Sequence, residues 1–446
     1  MLSRRFFSTT ASKLARAEVT KLSNGLTVIS KPGNSSLSSI GLYLNSGSRS
    51  ENAYNSGVST LTGDILKNST LSRKAFESAG VKVTSTNGKE YSGLAVTSFA
   101  PGNSSAAVAA IDSLVKETPK LIADELTVKE NVARAVAFAD KFEETPKKMV
   151  LEHLTATAFQ GTSLALPSYG KAETLETLQT IDLQDFLSKN LVSSNATLIS
   201  YGSDVNHDEL VKAAAKLAIP TGAKIPFEAA SFLGSDVRLR DDTMPDAHVA
   251  IAVKTPGAKS EHDFLTGLVA AHINGEYLGR DSLYTPFEGP KFSQLVASHG
   301  WSNYYNHFQI GYSDIGLWGA YFNTEAIEYV DEFTHFLLKS WNRFSTGTIS
   351  SAELEKAKQE LKVVLASAKA DQVEELDSIA ASYLARGILS SDEELIHSID
   401  AISHKDLVKW AQNYLYDQDI AIAGNGQIED LFDYNRIRND MSMMRW

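Results

Sequence analysis

Ten histidines and no cysteine bound the metal and nucleophile chemistry open to this chain. A zinc site needs three or four converging donors, and without thiolates these must be imidazoles and carboxylates. The same absence excludes disulfides and a thiol nucleophile. The histidines lack a ligand spacing. His262 follows Glu261, and His272 stands further along, but the two are not one helical turn apart. His153 follows Glu152 in a segment that reads as an amphipathic helix, with no second histidine one turn away. His299, His307 and His335 are dispersed, so each histidine is expected to be a hydrogen-bonded structural or surface group. No Gly-x-Ser-x-Gly elbow, Walker A loop or dinucleotide fingerprint is present; Gly424 and Gly426 follow a strand-like run but lack the third glycine. No cofactor is implied.

The elements that would position any site belong to a large globular chain. At 446 residues the chain calls for two or more domains. It is 43% hydrophobic and 22% charged, and no uncharged apolar run approaches the ~18 residues of a membrane span. Membrane contact is therefore expected only indirectly, through partners. A net charge of −12 argues against nucleic acid as a ligand, because phosphate backbones need a basic face. Residues 1–17 differ from the rest. They hold Arg4, Arg5, Lys13 and Arg16, no acidic residue, several Ser and Thr, and the apolar Leu2, Phe6 and Phe7. That is the profile of a mitochondrial presequence, with possible cuts near Arg5-Phe6-Phe7-Ser8 or after Leu14-Ala15-Arg16.

The remainder repeats. Ala75-Phe76-Glu77-Ser78-Ala79-Gly80-Val81 returns as Leu295-Val296-Ala297-Ser298-His299-Gly300-Trp301. Tyr91-Ser92-Gly93-Leu94 returns as Tyr312-Ser313-Asp314-Ile315, and Ile181-Asp182-Leu183 as Ile402-Ser403-His404. The starts lie 220 (75 to 295), 221 (91 to 312) and 221 (181 to 402) residues apart. That offset is far above the ~20–50 residues of a solenoid repeat and marks a duplicated domain. Pro220, Gly222 and Pro226 place a linker over 219–232, giving halves at 18–218 and 233–446.

Within each half the pattern is mixed. Residues 20–31 read strand–turn–strand around Ser23-Asn24-Gly25. Strands are expected at 39–44, 196–202, 248–253 and 419–424. In 125–142, Leu126, Val128, Val132, Val136, Phe138 and Phe142 form an approximately helical apolar stripe. In 350–369, Ser350 or Ser351 can cap, Glu353 follows in the first turn, and Leu354, Ala357, Leu361, Val364 and Leu365 share a face. The fold class is α+β, with two duplicated domains. Phe432, Tyr434, Ile437, the methionines and Trp446 in the tail are expected to pack on the second half.

Several segments resemble one family. Val19-Thr20-Lys21-Leu22-Ser23-Asn24-Gly25-Leu26 is similar to the opening strand of the M16 metallopeptidase-like group that holds the mitochondrial processing peptidases and the bc1 core proteins. Asn45-Ser46-Gly47-Ser48-Arg49-Ser50-Glu51-Asn52 resembles its G-S-R-x-E-N turn, and Gly57-Val58 its helix entry. Gly234-Ser235-Asp236-Val237-Arg238-Leu239-Arg240-Asp241-Asp242 resembles G-S-E-x-R-x-R-D-D, and Tyr312-Ser313-Asp314-Ile315-Gly316-Leu317-Trp318-Gly319 resembles Y-x-D-T-G-L-W-G. The tail 436–446 is similar to that of the fungal core proteins. The likeness spans 18–446 and implies mixed sheets, each with helices on one face, in halves that face each other across a cleft.

Where this family carries H-x-x-E-H, two zinc-binding histidines around a water-activating glutamate, the chain has Thr60, Gly63 and Asp64. A hydroxyl, a hydrogen and one carboxylate cannot hold a metal that wants three protein ligands. Glu130, Glu143 and Glu144 are candidates for the family's downstream ligand, and without the paired histidines they read as surface charges. Val58, Leu61 and Ile65 should pack inward, leaving Thr60, Gly63 and Asp64 toward the cleft, where a peptide segment of another subunit could sit uncut. The glycine-rich presequence loop of the α-type peptidase subunits is also missing, because 273–292 holds only Gly275, Gly279 and Gly289. The resemblance therefore implies a non-catalytic core subunit of respiratory complex III. It would lie peripherally on the matrix side of the mitochondrial inner membrane, beside a second core protein, cytochrome b, cytochrome c1 and small subunits. The alternative is a subunit of a processing peptidase, binding or cleaving presequences.

Overall fold

The computed structural model describes residues 17–33, 37–99, 104–202, 206–279, 289–369 and 371–442. All but the last residue of the expected presequence, 1–17, lies outside them, as do residues 280–288 of the 273–292 segment and the final four residues of the tail.

Two six-stranded sheets repeat one plan. The first holds β1 (Glu18–Lys21), β2 (Thr27–Pro32), β3 (Leu37–Leu44), β4 (Lys82–Asn87), β5 (Ser92–Phe99) and β6 (Ala196–Gly202), in the order β1-β2-β6-β3-β5-β4. The second holds β7 (Ser235–Arg240), β8 (Ala247–Pro256), β9 (Glu276–Leu278), β10 (Tyr304–Gly311), β11 (Ile315–Thr324) and β12 (Ile420–Gly426), in the order β7-β12-β8-β11-β10-β9. Remove the edge strands β1 and β9, and the two orders superimpose strand for strand. Each sheet has a single parallel pair, β2–β6 and β12–β7, at the same place. The duplication read from three short echoes is thus a duplication of topology. Between the helix His207–Ala214 and β7 the chain runs without regular structure.

Strand residues alternate between the two faces of each sheet. On the first sheet Val28, Ile40, Leu42, Val96 and Leu198 pack beneath the half's own helices, through Val108, Ile111, Val115 and Leu210. On the second, Val249, Ile251, Trp318, Phe322 and Ile422 meet Val269, Phe333, Leu337, Trp341 and Trp410. His307 is enclosed there, beside Trp318 and Trp341. It accepts from the Trp341 indole at 3.1 Å, and burial pushes its pKa down to about 3, so it is a neutral core group rather than a ligand.

The opposite faces are covered reciprocally. Ile29, Tyr43, Ala95, Ile199 and Tyr201 of the first sheet lie under Leu376, Ile379 and Ala380 of the helix Gln372–Arg386, which comes from the second half. Ala250, Ala252, Tyr321, Ala421 and Ala423 of the second sheet lie under Val150, Leu154 and Ala158 of the helix Pro146–Ala158, from the first half. Each half thus lends one helix to the other's inner face, which the expectation of helices on one face did not include.

Local rules hold in most helices. Ser350 caps Ser351–Ala368, its hydroxyl accepting from Glu353 N while Glu353 reaches back to Ser350 N. Two apolar stripes need correction. Leu126 is 73% exposed and Phe138 53% exposed; the inward face of Glu125–Glu143 is Val128, Asn131, Ala135 and Ala139. Those four keep the three- and four-residue spacing of one face, whereas Leu126 stands nearly opposite Val128. Val364 is 49% exposed although its spacing continues the face of Leu354, Ala357 and Leu361. The described tail packs on the second half, with Ile437 and Met441 buried and Arg438 paired to Asp417 and Asp419.

Candidate functional site

Thr60, Gly63 and Asp64, the positions that the resemblance sets against the family motif, lie on the helix Val58–Lys67. Val58, Leu61 and Ile65 are fully buried against Val128, Ala135, Leu175 and Leu183, as their spacing requires. The entry is fixed by Gly57, whose φ of +97° favours glycine and whose absent side chain would press on Leu175 Cδ2 at 2.6 Å. The first turn is held by Glu51. Its two carboxylate oxygens accept from Gly57 N at 2.7 Å and Ser59 N at 2.8 Å. Desolvation pushes the Glu51 pKa up to about 7, against the lowering effect of those two N–H groups and of Lys89.

A testable consequence follows from that carboxyl. Its raised folded value means that its pH-linked contribution is full below its ordinary pKa near 4.5 and is lost as pH rises through about 7. Glu51→Gln should remove this slope. It also turns an NH2 group toward one of the two N–H donors, at a cost of about 1–3 kcal/mol. Urea denaturation of both proteins at several pH values between those limits measures slope and offset together.

The three motif positions are occupied by contacts within the first half. Thr60 is buried and donates its hydroxyl to Ser168 O at 2.6 Å. Gly63 lies against the Asn87 amide, which would stand 3.0 Å from a Cβ placed there. Asp64 is half-buried and accepts from Ser85 at 3.4 Å; burial raises its pKa, while Lys67 and Ser85 pull the other way. Partners across the cleft, which the sequence reading expected these residues to face, are not among these contacts. Glu130, Glu143 and Glu144 are exposed, and the polar residue their helix turns inward is Asn131, which accepts from Asn68 at 3.1 Å. Among the described residues no group of three or more His, Cys, Asp or Glu is placed to hold a metal ion. One carboxylate, a hydroxyl already committed to a carbonyl and a bare backbone do not fit zinc.

The polar residues that do bridge the halves come from neighbouring turns and from the strands β2, β3 and β4. Arg49, buried, donates to Glu90 at 2.5 Å, to both Asp314 oxygens at 2.8 and 2.7 Å, and to Glu228 O at 2.6 Å. Glu90 also accepts from Ser313 N and the Ser313 hydroxyl. Tyr43 and Thr86 both donate to Asp377, and Lys31 pairs with Glu375 and Asp392. Sequence reasoning noted Arg49 and Asp314 only as parts of two turns; nothing local pairs residues this far apart. Beside these bridges a cavity of about 400 Å³ runs between the halves, lined by Tyr91, Phe264, Leu268 and Ile379 and by charges that are paired, such as Arg386 with Glu261 and Lys369 with Asp392.

Comparison with known proteins agrees with this arrangement. Residues 27–172 match the insulinase (peptidase family M16) model, and 177–361 match the peptidase M16 inactive domain. The chain is 38% identical to the mitochondrial cytochrome b-c1 complex reductase subunit of Candida albicans, over 100% of this chain and 98% of that protein. It is 37% identical to the mitochondrial cytochrome b-c1 complex subunit 1 of Saccharomyces cerevisiae, over 98% and 96%. Identity to the mitochondrial-processing peptidase subunit beta of Neurospora crassa is lower, 31% over 96% and 91%. A chain in the structure of complex III2 from Candida albicans, Inz-5 bound, superimposes with a TM-score of 0.90 and 37% identity, covering 95% of this chain and 99% of that one.

Proposed function

The chain belongs to the M16 peptidase family, and from that premise we propose that it is a core subunit of mitochondrial complex III, supporting assembly and stability of the ubiquinol–cytochrome c oxidoreductase. Full-length similarity to b-c1 complex subunits supports this reading, as does the match to a chain of a complex III assembly. The observation that carries the non-catalytic part is that Thr60, Gly63 and Asp64, which the resemblance sets at the ligand and base positions, are each engaged by the first half. The protein would hold no cofactor; haem and iron–sulfur chemistry would belong to other subunits.

Partners in this role are a second core protein, cytochrome b, cytochrome c1 and the small subunits. The location is peripheral, on the matrix side of the inner membrane. No helix among the described residues is long and apolar enough to cross a membrane, so attachment runs through partners. The working units are 18–218 and 233–446, joined through 219–232.

Affinity isolation from detergent-solubilised mitochondria tests the assignment. Haem b and haem c absorption in the eluate is expected. Recovery as a haem-free soluble heterodimer would contradict it and favour the processing-peptidase alternative.

A further inference from the structure

On the flank of the motif helix lies an open basin of about 300 Å³, which shares no lining residue with the cavity between the halves. Four elements each send one cation to its rim. Lys67 ends the motif helix, Arg73 comes from the helix Thr70–Ala79, Lys82 opens β4, and Arg134 comes from Glu125–Glu143. No carboxylate lines the basin, and among the described residues none of the four cations forms an ion pair. The nearest acid along the motif helix, Asp64, accepts from Ser85 and lies outside the basin's lining; it forms no ion pair with Lys67, although the Lys67 charge favours its ionised form.

The basin is also held in shape. Its floor carries the buried hydroxyls of Ser69 and Ser72, 3.1 Å apart. Ser72 donates to Leu66 O at 2.6 Å, so that carbonyl at the helix end does not present its charge to the basin. Asn68 donates to Asn131, tying the end of the motif helix to the helix that carries Arg134. Like charges brought together without compensation repel, and a bound anion removes the penalty. Two guanidinium forks match phosphate geometry, and two ammonium groups add point charge. The volume is about ten times the ~30 Å³ that a water occupies, room for a substituted phosphate rather than a bare ion.

We infer that this basin binds a phosphate-bearing anion, supplied either by a soluble phosphate compound or by a phospholipid headgroup. The compact convergence of four cations on one hollow favours this over an acidic peptide, which would need an extended basic groove. The test uses the full-length protein and the isolated complex. Equilibrium dialysis measures inorganic phosphate and ADP; flotation measures phosphatidylcholine vesicles with and without phosphatidylglycerol. Saturable binding of either class is expected, weakened at least about tenfold in Arg73→Gln/Arg134→Gln and in Lys67→Gln/Lys82→Gln. Lys129→Gln, an exposed cation outside the basin, should bind as the parent does. Binding of soluble phosphates assigns the free compound, and binding of anionic vesicles alone assigns the headgroup; both support the site. No binding in either arm, binding unchanged in both double variants, or binding displaced only by polyglutamate overturns it.

Discussion

Arg49→Ala should lower the unfolding free energy by about 3–5 kcal/mol, the usual cost of removing one partner from a buried ion pair. The side chain is 1% exposed, and it joins four segments distant in sequence: its own turn, the turn of Glu90, the 227–230 stretch and the 312–314 turn. Without it Glu90 and the partly exposed Asp314 would face each other, with the Ser313 and Ala230 donors as their remaining compensation. Arg49→Lys keeps the charge but loses the fork that grips both Asp314 oxygens, so it should fall between the two. Acid sensitivity provides an independent reading. Burial raises the Asp314 pKa, but the hydrogen bonds from Arg49 and Ala230 N outweigh it and hold the group below its ordinary value. The stability it contributes is therefore present above the unfolded-state pKa and lost as pH falls through the lower folded value. Denaturant titrations at neutral and acidic pH should show Arg49→Ala losing both the offset and that acid dependence. A loss below about 1 kcal/mol would mean that the ion pair is not what couples the halves.

The second large effect concerns the exchanged helices. Expressed alone, residues 18–218 would expose Ile29, Tyr43, Ala95 and Ile199 and leave the helix Pro146–Ala158 without a sheet. Residues 219–446 would expose the alanine-lined face of the second sheet and strand the helix Gln372–Arg386. Each large aliphatic side chain so uncovered forfeits about 1.5–3 kcal/mol, against a total stability of about 5–15 kcal/mol for an ordinary domain. Either half alone should be aggregated or molten. Co-expressed as separate chains, the two should recover as a soluble one-to-one pair, because the exchanged contacts do not require the 219–232 connection. Size-exclusion chromatography with near-ultraviolet circular dichroism reads both outcomes. A monomeric, cooperatively folded first half would contradict the reciprocal arrangement.

Much of the fold was legible in the sequence, because local patterns carry it. Ser23-Asn24-Gly25 marked the turn between β1 and β2, with Leu26 N donating to the Asn24 side chain. The Ser350–Glu353 capping box began a helix where expected. The echoes between halves announced a repeat that the matching strand orders display in full. Long-range pairings were not legible. An amphipathic helix such as Pro146–Ala158 states that it has an apolar face, not which sheet will take it. Arg49 and Asp314 lie in recognisable turns, but their meeting depends on how the two halves pack. Hydrophobicity alone places Phe138 in the apolar stripe, whereas the buried face is made of the small residues Ala135 and Ala139 and the amide of Asn131 beside Val128. At Thr60, Gly63 and Asp64, residue identities give the expectation of which chemistry the motif lacks. Only the structure supplied the replacement contacts: Asn87 against Gly63 and Ser168 O on Thr60.

The claim that this family scaffold carries no peptidase chemistry is tested most directly by elemental analysis of zinc in the purified protein, with cleavage of a presequence peptide measured on the same sample. Zinc far below one ion per chain and no chelator-sensitive cleavage are expected. One tightly held zinc per chain, with cleavage abolished by a chelator and restored by the metal, would contradict the account.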